Sequence, residues 1–316
     1  MIVVIRPGNF TTIQDSGRWG YQTWGMPISG CLDPYATQVA NLLAGNKKNA
    51  AMLEMTDEGG VFHFDDSVLA AIAGADMQAT LNGRQIENWK AFIVPAGGTL
   101  AFGKVVSGRR SYLAVHGGFE VMSVMGSRST YVAAGIGGLE GRLLMAGDML
   151  ELGKDAEAYL RTIGFSVRWI PKYSHSWKIN VILGPQEYLF STANQKKFLS
   201  STYKVSSIAD RMVCELEGPV LTLPPTELVS DATGWGALEV PARGQPFIVM
   251  PDHGTTRGFA KIGYVIQANL YKLAQVMPGD NINFVEIDTE TAVDLYKLQQ
   301  ANYQALAESF STGQMC

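Results

Sequence analysis

Polar side chains that could act on an amide carbonyl are concentrated in the stretch Pro251–Lys261. It contains Asp252, Thr255, Thr256 and Lys261, which supply a carboxylate, two hydroxyls and an amine. Amide or lactam chemistry needs such groups to stabilise a developing oxyanion and to move protons. A site is favoured mainly because His253-Gly254-Thr255-Thr256 is polar where the matching segment of the first half is only Ala96-Gly97-Gly98-Thr99. The alternative is a solvated loop with a surface Asp252–Lys261 ion pair worth less than about 1 kcal/mol. Other polar residues precede the stretch and could join the site: Asp210, Arg211, Ser230, Asp231, Glu239 and Gln245.

A second polar region lies near the N-terminus, within Arg6–Asp33, where Gln14, Asp15 and Arg18 are interspersed with glycines. So many polar groups predict a loop and argue against a buried strand, because unpaired buried polar groups cost a few kcal/mol each. In one interpretation this is an ordered surface loop in which Asp15 pairs with Arg18. In the other it is a site loop, in which Arg18 binds a carboxylate or a phosphate.

A third region, Gly126–Thr130, has the sequence Gly-Ser-Arg-Ser-Thr. Its backbone N–H groups, the guanidinium of Arg128 and hydroxyls such as that of Ser129 suit an anion. Ordinary turns use the same residue types, so a purely structural role is the alternative. The sequence has no GxxxxGK[ST] motif and no glycine pair within a βαβ pattern, so a P-loop or Rossmann nucleotide site is not predicted.

Metal and thiol chemistry have little support in the sequence. None of the four histidines has a neighbour at ligand spacing, so no metal site is predicted. The three cysteines are far apart and form no CxxC pair, which is typical of a reducing compartment. We expect Cys31 and Cys214 to be small apolar fillers and not nucleophiles.

Composition and charge exclude several classes of partner. Of the 316 residues, 47% are hydrophobic and 17% are charged, so large cores are expected and disorder is not. The net charge is −4 and no cluster of Lys and Arg occurs, which argues against a nucleic acid or an anionic membrane. The N-terminus lacks a secretory signal, and no apolar run approaches the roughly 20 residues that span a bilayer. The sequence therefore predicts a cytoplasmic protein.

Short strands must position most of these polar groups. The 34 glycines and 13 prolines separate short apolar runs, such as Val61–Phe64 and Phe247–Met250. Helices are few, and the first begins at an Asp33-Pro34 capping signal and ends before Gly45. A second helix is predicted over residues 186–199, and a C-terminal helix is predicted to start near residue 288.

A faint internal repeat indicates two related halves. Three pairs of short segments match in the same order: Leu53-Glu54 with Leu216-Glu217, Phe92–Pro95 with Phe247–Pro251, and Ala146-Gly147-Asp148 with Pro278-Gly279-Asp280. The simplest explanation is a duplicated β-rich domain, with domains at residues 1–164 and 165–316. Two strand-rich units with few helices favour closed barrels, because closure removes exposed sheet edges.

Taken together, these segments resemble one family, the C subunit of prokaryotic 5-oxoprolinase, also called the KipA or allophanate hydrolase subunit 2 family. The same module forms part of the carboxyltransferase domain of urea carboxylase. The resemblance covers nearly the whole chain, and the matching motifs include Thr12-Ile-Gln-Asp-Ser-Gly-Arg18, Gly126-Ser-Arg-Ser-Thr130, Asp210-Arg-Met212, Leu216-Glu-Gly-Pro219, Ser230-Asp231, Gly244-Gln-Pro246, Thr255-Thr256, Lys261-Ile262 and Pro278-Gly-Asp280.

The resemblance implies a mainly β fold of two cyclophilin-like β-barrel domains. It also implies a complex, often a heterotetramer, with a KipI-like B subunit, plus a LamB/YcsF-like A subunit. Such a complex hydrolyses 5-oxo-L-proline to L-glutamate at the expense of ATP, by phosphoryl activation of the lactam oxygen followed by attack of water. The missing P-loop suggests that the partners hold much of the ATP. No Met-Lys biotin-carrier motif occurs, so covalent biotin is not expected.

This chain departs from the family pattern at Glu239, Gly254 and Arg257, where relatives commonly have glutamine, glutamine and glycine. Exchanging neutral groups for a carboxylate and an arginine would change which ligand is bound. The departures bear on the substrate more than on the fold.

We assign candidate roles by residue type and motif match. The candidates for proton transfer, substrate anchoring or carbonyl polarisation are Asp15, Asp231, Glu239, Asp252 and Lys261. The candidates for substrate binding are Gln14, Arg18, Arg128, Ser129, Arg211, Gln245, Thr255 and Thr256. Two other functions remain open: carboxyl transfer from biotin on another chain to urea or a related amide, and non-catalytic sequestration of a KipI-like kinase inhibitor.

Overall fold

The computed structural model describes residues 1–153, 170–223 and 228–312, and the chain forms two compact units. The described residues of the first unit fall within Met1–Trp19, Ser29–Tyr173 and Ala307–Cys316. Those of the second unit fall within Gly20–Ile28 and Ser174–Leu306. The domain boundary predicted at residue 164 lies outside the described residues.

Two antiparallel sheets make up the first unit, with strands numbered along the chain. One sheet consists, in spatial order, of β11 (Met149–Leu150), β1 (Ile2–Arg6), β4 (Val61–Phe64), β9 (Gly98–Ala101), β6 (Thr80–Leu81) and β7 (Arg84–Gln85). The other consists of β2 (Phe10–Gln14), β3 (Met52–Thr56), β10 (Ser107–Val115), β5 (Val68–Asp76) and β8 (Lys90–Val94). Alternate residues of both sheets meet in one apolar core, which includes Ile2, Phe62, Leu53, Ile72 and Leu113.

The first predicted helix is confirmed as α1 (Pro34–Leu43). The Asp33 carboxylate caps it by accepting hydrogen bonds from the backbone N–H of Tyr35 at 3.1 Å and of Ala36 at 2.8 Å. Val39 and Leu43 are buried on the face that packs against β5 and β10. The capping signal was sufficient to place this helix.

Near the N-terminus, the prediction that the polar region is not a buried strand is wrong. Thr11, Thr12 and Gln14 are buried in β2, which pairs with β3 in register. Several of their polar atoms are hydrogen-bonded, since Gln14 Nε2 donates to Thr12 Oγ1 and to the carbonyl of Thr130, both at 3.0 Å. These hydrogen bonds, within the strand and to a residue distant in sequence, reduce the burial penalty on which the prediction rested.

A closed barrel forms the second unit. Its strands are, in order around the barrel, β12 (Ser176–Leu183), β19 (Ala260–Val265), β16 (Ala237–Val240), β17 (Phe247–Val249), β14 (Val213–Glu217), β13 (Thr202–Ala209) and β20 (Asn281–Glu286). Parallel pairing of β12 with β20, in which Ile179 is opposite Phe284, closes the ring. A separate two-stranded ribbon is formed by β15 (Asp231–Ala232) and β18 (Thr256–Arg257).

The second unit also contains α2 (Thr192–Ser200), α3 (Leu270–Gln275) and most of α4 (Thr289–Thr312). The helix predicted over 186–199 is divided into a 3-10 turn, Glu187–Leu189, and α2, because Ser191 caps a new helix through Asn194 N–H. The predicted C-terminal helix is confirmed as α4, where Asp288 accepts a hydrogen bond from Thr291 N–H at 2.7 Å. Helix α3 was not predicted, because six residues are too few for a clear helical period.

The mainly β prediction, with a barrel, few helices and a C-terminal helix, is therefore confirmed. Within the described ranges, none of the helices is both long and apolar enough to cross a membrane.

Candidate active site

In the first unit, the Asp15 carboxylate organises the two polar loops that the sequence singled out. It accepts hydrogen bonds from Ser127 Oγ, Ser129 Oγ and the Arg128 backbone N–H, each at 2.6 Å, and from Gly17 N–H at 2.8 Å. The Gly126–Thr130 loop therefore binds an anion as its composition suggested, but the anion is the protein's own carboxylate. This gives Asp15 a structural role, and its part in proton transfer stays a prediction.

Arg18 lies beneath the same loop and is fully buried. Its Nε donates to the Val124 carbonyl at 3.3 Å, and Nη2 donates to the Ser129 carbonyl. Gly137 packs so closely that a Cβ there would lie 2.5 Å from Nη2. The observed contacts of Arg18 hold the loop in place, and its binding of a substrate anion stays a prediction.

The side chain of Arg128 points to a partly exposed position, where Nη2 forms an ion pair with Glu120 at 2.8 Å. Its Nε donates to the Val121 carbonyl at 3.0 Å. Gln14 is buried in β2, and no described atom donates a hydrogen bond to its Oε1. The first unit thus brings Gln14, Asp15, Arg18, Arg128 and Ser129 together, mainly through hydrogen bonds within and between loops.

In the second unit, the central pair of candidate residues is Glu239 and Lys261, on neighbouring barrel strands β16 and β19. They are opposite each other across the strand pair because the register shifts between Leu238 and Glu239. Leu238 is opposite Gly263, whereas Glu239 is opposite Lys261, so one extra residue of β19 is accommodated. This bulge turns both charged side chains to the same face, and bulges are frequent beside active sites.

Lys261 is fully buried, which is unusual for a lysine. Its ammonium lies 3.6 Å from Asp231 Oδ2, beyond hydrogen-bond distance, and no described atom accepts a hydrogen bond from Nζ. The carboxylate of Asp231 is 59% exposed, so it compensates the buried charge only in part. A buried amine with unused donors is suited to bind a carbonyl oxygen or an anion.

Glu239 is also fully buried. Burial raises the pKa of its carboxyl group, and the hydrogen bond from Thr233 and the charges of Arg257 and Lys261 oppose that rise. Thr233 Oγ1 donates to Oε1 at 2.6 Å, while Oε2 has no hydrogen-bond partner among the described residues. A carboxyl group with a raised pKa can accept and return a proton near neutral pH, as general acid–base catalysis requires.

The ribbon of β15 and β18 adds hydroxyls and a guanidinium to this pair. Asp231 is opposite Arg257, and the Thr233 N–H donates to the Thr255 carbonyl at 3.1 Å. Thr256 is exposed in β18. The ribbon therefore brings Asp231 close to Lys261, and substrate binding by Thr255 and Thr256 stays a prediction.

Burial and the charge of Glu239 raise the pKa of Tyr264, which is opposite Ala237 in the neighbouring strand. Sequence reasoning gave no role to Tyr264 or to Thr233. The available signal was the charged residue within each apolar run, Ala-Leu-Glu-Val and Ala-Lys-Ile-Gly, since buried charges need polar neighbours.

Asp252 has a different partner from the one considered in the sequence. Its carboxylate forms a two-point ion pair with Arg211, with Nε–Oδ2 at 2.8 Å and Nη2–Oδ1 at 3.1 Å. Both side chains are buried. The alternative of a surface pair between Asp252 and Lys261 is therefore wrong, because Lys261 pairs with Asp231 and neither Asp252 nor Lys261 is solvated.

Gln245 joins two loops instead of facing the Glu239–Lys261 pair. Its Oε1 accepts from the Gly218 N–H at 3.2 Å and its Nε2 donates to the Gly218 carbonyl at 3.0 Å. These contacts are structural, and substrate binding by Gln245 stays a prediction. A groove of about 590 Å³ opens beside Phe247, which is opposite Glu239 in the barrel.

The described residues include no group of three or more His, Cys, Asp or Glu arranged to hold a metal ion.

The chain is a mainly β protein with a closed barrel, and this barrel carries a buried lysine–glutamate pair. Comparison with known proteins identifies the family. Residues 24–286 match the family described as carboxyltransferase domain, subdomain A and B, and the chain belongs to that family.

The relatives of this chain include two kinds of enzyme. The chain is 37% identical to the C subunit of 5-oxoprolinase from Escherichia coli strain K12, over 97% of this chain and 98% of that protein. It is 33% identical to urea amidolyase of Lachancea kluyveri over 96% of its own length, but spans only 18% of that protein. The crystal structure of Kluyveromyces lactis urea carboxylase superposes with a TM-score of 0.90 at 30% identity, covering 100% of this chain and 29% of that one.

Proposed function

We propose that this chain is the C-type subunit of an ATP-dependent 5-oxoprolinase, which opens the lactam of 5-oxo-L-proline to give L-glutamate. The observation that carries the proposal is the buried Lys261 amine opposite Glu239, whose carboxyl pKa is raised by burial. The similarity to a full-length relative named as the C subunit of 5-oxoprolinase supports the choice of substrate.

Lactam opening adds water to the ring carbonyl carbon and breaks the carbon–nitrogen bond. In this proposal the Lys261 ammonium donates to the carbonyl oxygen, where negative charge develops, and so lowers the barrier. Glu239 takes a proton from the attacking water and returns it to the leaving ring nitrogen, and Thr233 keeps its carboxyl group oriented. The Asp231 carboxylate, 3.6 Å from Lys261 Nζ, stabilises the charge of the ammonium.

ATP is proposed to be held mainly by the partners of this chain and to transfer its γ-phosphoryl group to the lactam oxygen, leaving ADP. Attack of water on the ring carbon then opens the ring, and the phosphoryl group leaves as inorganic phosphate. The candidate anion loop of this chain does not fit a phosphate group, because Asp15 already accepts from Ser127 Oγ, Ser129 Oγ and Arg128 N–H. The proposed partners are a KipI-like B subunit, plus a LamB/YcsF-like A subunit, with activity only in the assembled complex in the cytoplasm. No covalent biotin is proposed on this chain.

The test is to assemble the chain with both partners and to follow ATP-dependent release of glutamate from 5-oxoproline. Lys261→Met should reduce kcat/KM by on the order of 100-fold or more, because it removes a preorganised donor at the oxyanion. The matched control is Lys272→Met, which replaces a half-buried lysine that donates to the Lys178 carbonyl in the same unit. Undiminished turnover by the folded Lys261→Met complex would refute the proposal.

A second candidate is carboxyl transfer to urea or a related amide, with biotin supplied by another chain. The family match and the superposition on urea carboxylase favour it. Transfer of labelled bicarbonate onto urea, without glutamate release from 5-oxoproline, would select this candidate over the first.

A further inference from the structure

Arg257 is a half-buried cation on the wall of the groove beside the Glu239–Lys261 pair. Its guanidinium carbon lies 5.4 Å from the centroid of the Phe247 ring. Phe259 meets that ring edge-on, with centroids 5.7 Å apart and an interplanar angle of 90°. Stacking on an aromatic ring restrains a guanidinium while leaving its N–H groups available in the plane.

The other charged residues of the groove already have partners. Arg243 forms an ion pair with Glu215 at 2.8 Å. The Asp210 carboxylate accepts from the backbone N–H of Met212 at 2.7 Å and of Val213 at 2.9 Å. The guanidinium of Arg257 differs, since its N–H groups form no ion pair and no hydrogen bond with any residue that the structure describes. The groove therefore presents a guanidinium that forms no ion pair among the described residues, although its charge favours the ionised form of Glu239.

Two structural connections link this cation to the candidate active site. Phe247, whose ring lies beneath the Arg257 guanidinium, is opposite Glu239 in the pairing of β17 with β16. Arg257 itself is opposite Asp231, whose carboxylate lies 3.6 Å from Lys261 Nζ. Neighbouring strands are about 4.8 Å apart, so a small ligand can reach from one residue of this row to the next.

We propose that Arg257 binds the carboxylate of the substrate, while Lys261 and Glu239 act on its ring amide. The inference rests on the proposed function, since it assigns the two ends of one small lactam acid. In 5-oxoproline the carboxylate is attached to the ring carbon beside the amide nitrogen. A two-point hydrogen bond between guanidinium and carboxylate would therefore orient the ring and direct its carbonyl towards Lys261.

The experiment compares two ligands by calorimetric titration of the chain assembled with its B and A partners: 5-oxoproline, and pyrrolidin-2-one, which has the same lactam without the carboxylate. Arg257→Gln should weaken 5-oxoproline binding on the order of 10- to 100-fold and leave pyrrolidin-2-one binding unchanged. Arg243→Gln, at the other groove arginine, is the matched control and should change both affinities less than about threefold. Arg257→Lys keeps the positive charge but lacks the paired N–H donors of a guanidinium. Its affinity for 5-oxoproline should therefore lie between those of the wild type and Arg257→Gln.

Melting temperatures of all variants establish that they are folded. Equal weakening of both ligands by Arg257→Gln, no effect on either, or no carboxylate binding at millimolar concentration would overturn the inference. So would Arg257-dependent binding of inorganic phosphate in place of carboxylates.

The two proposals fail in different ways. If Lys261→Met abolishes turnover by the complex but Arg257→Gln leaves the 5-oxoproline affinity and KM intact, the proposed function stands and the carboxylate site does not. If no lactam binds but acetate binds with dependence on Arg257, the carboxylate site stands and lactam hydrolysis does not.

Discussion

Glu239 and Lys261 carry ionisable groups in positions buried from water, and this affects the stability of the fold. Burial raises the folded-state pKa of Glu239 above its ordinary value of 4.5. The folded chain therefore takes up a proton more readily than the unfolded chain, and ionised Glu239 destabilises the fold at neutral pH. That destabilisation is complete above the folded pKa and disappears as the pH falls towards 4.5.

Glu239→Gln should therefore be more stable than the wild type at neutral pH and should lose this advantage near pH 4.5. Urea unfolding of both proteins over this pH range measures the difference. Glu217→Gln, at the exposed end of β14, is the matched control and should change stability little at either pH. A Glu239→Gln protein that is less stable at neutral pH would contradict the interpretation.

The buried Arg211–Asp252 pair leads to a second expectation at this scale. Asp252→Ala leaves the Arg211 guanidinium buried without its counterion, so the free energy of unfolding should fall by about 3–5 kcal/mol. Arg243→Ala breaks the exposed pair with Glu215 and should cost less than about 1 kcal/mol. Urea denaturation of the two variants compares these losses. Equal losses would contradict the expectation that breaking the buried ion pair costs more than breaking the exposed one.

At the scale of elements, the Asp15 carboxylate couples β2 to the loop that follows β10. Asp15→Asn removes the charge that four donors share, and the new amide N–H groups would oppose some of those donors. We expect a loss of about 1–3 kcal/mol and faster hydrogen exchange of the backbone amides at 126–130. Asp65→Asn, at an exposed turn, is the control, and unchanged exchange in Asp15→Asn would contradict the coupling.

The elements also show how far sequence reasoning reaches. Helix α1 was predictable because its start depends on two adjacent residues, Asp33 and Pro34. Strand β2 was not, because its polar side chains find partners in Thr130, which is far along the chain. In the site, the residue types of Glu239 and Lys261 indicated chemistry, but the partner of Lys261 depends on strand register, which residue types alone do not determine.

The internal repeat is supported at its Gly-Asp match. Gly147 N–H donates to the Val4 carbonyl and Val4 N–H to the Asp148 carbonyl, at 2.7 and 2.9 Å. In the second unit, Gly279, Val205 and Asp280 make the same two bonds, both at 2.8 Å. The Leu-Glu match is different, because Glu54 is buried and Glu217 is exposed. Backbone geometry at a turn was the informative part of the pattern.

For the whole molecule, the proposed function requires assembly. Coexpression with a KipI-like B subunit should give a stable complex heavier than the 34.3 kDa chain, measured by size exclusion with light scattering. Lys261→Met should assemble as the wild type does, because Lys261 is fully buried and does not reach the surface of the chain. An unrelated acidic protein of similar size is the control, and persistence of the two proteins as separate species would count against a multi-chain enzyme.

The register of β16 and β19 decides which side of the sheet each residue of β19 faces. The chemistry of the barrel therefore depends on whether residues of β19 are removed singly or in pairs. Deleting one regularly paired residue from Ala260–Val265 would exchange which side chains project to each side, so the amine would enter the apolar interior and an aliphatic group would replace it. Deleting two adjacent residues of that kind would restore the original orientation. Length variants of this strand should therefore alternate between inert and competent proteins, provided that Lys261 and the extra residue at the bulge are both kept.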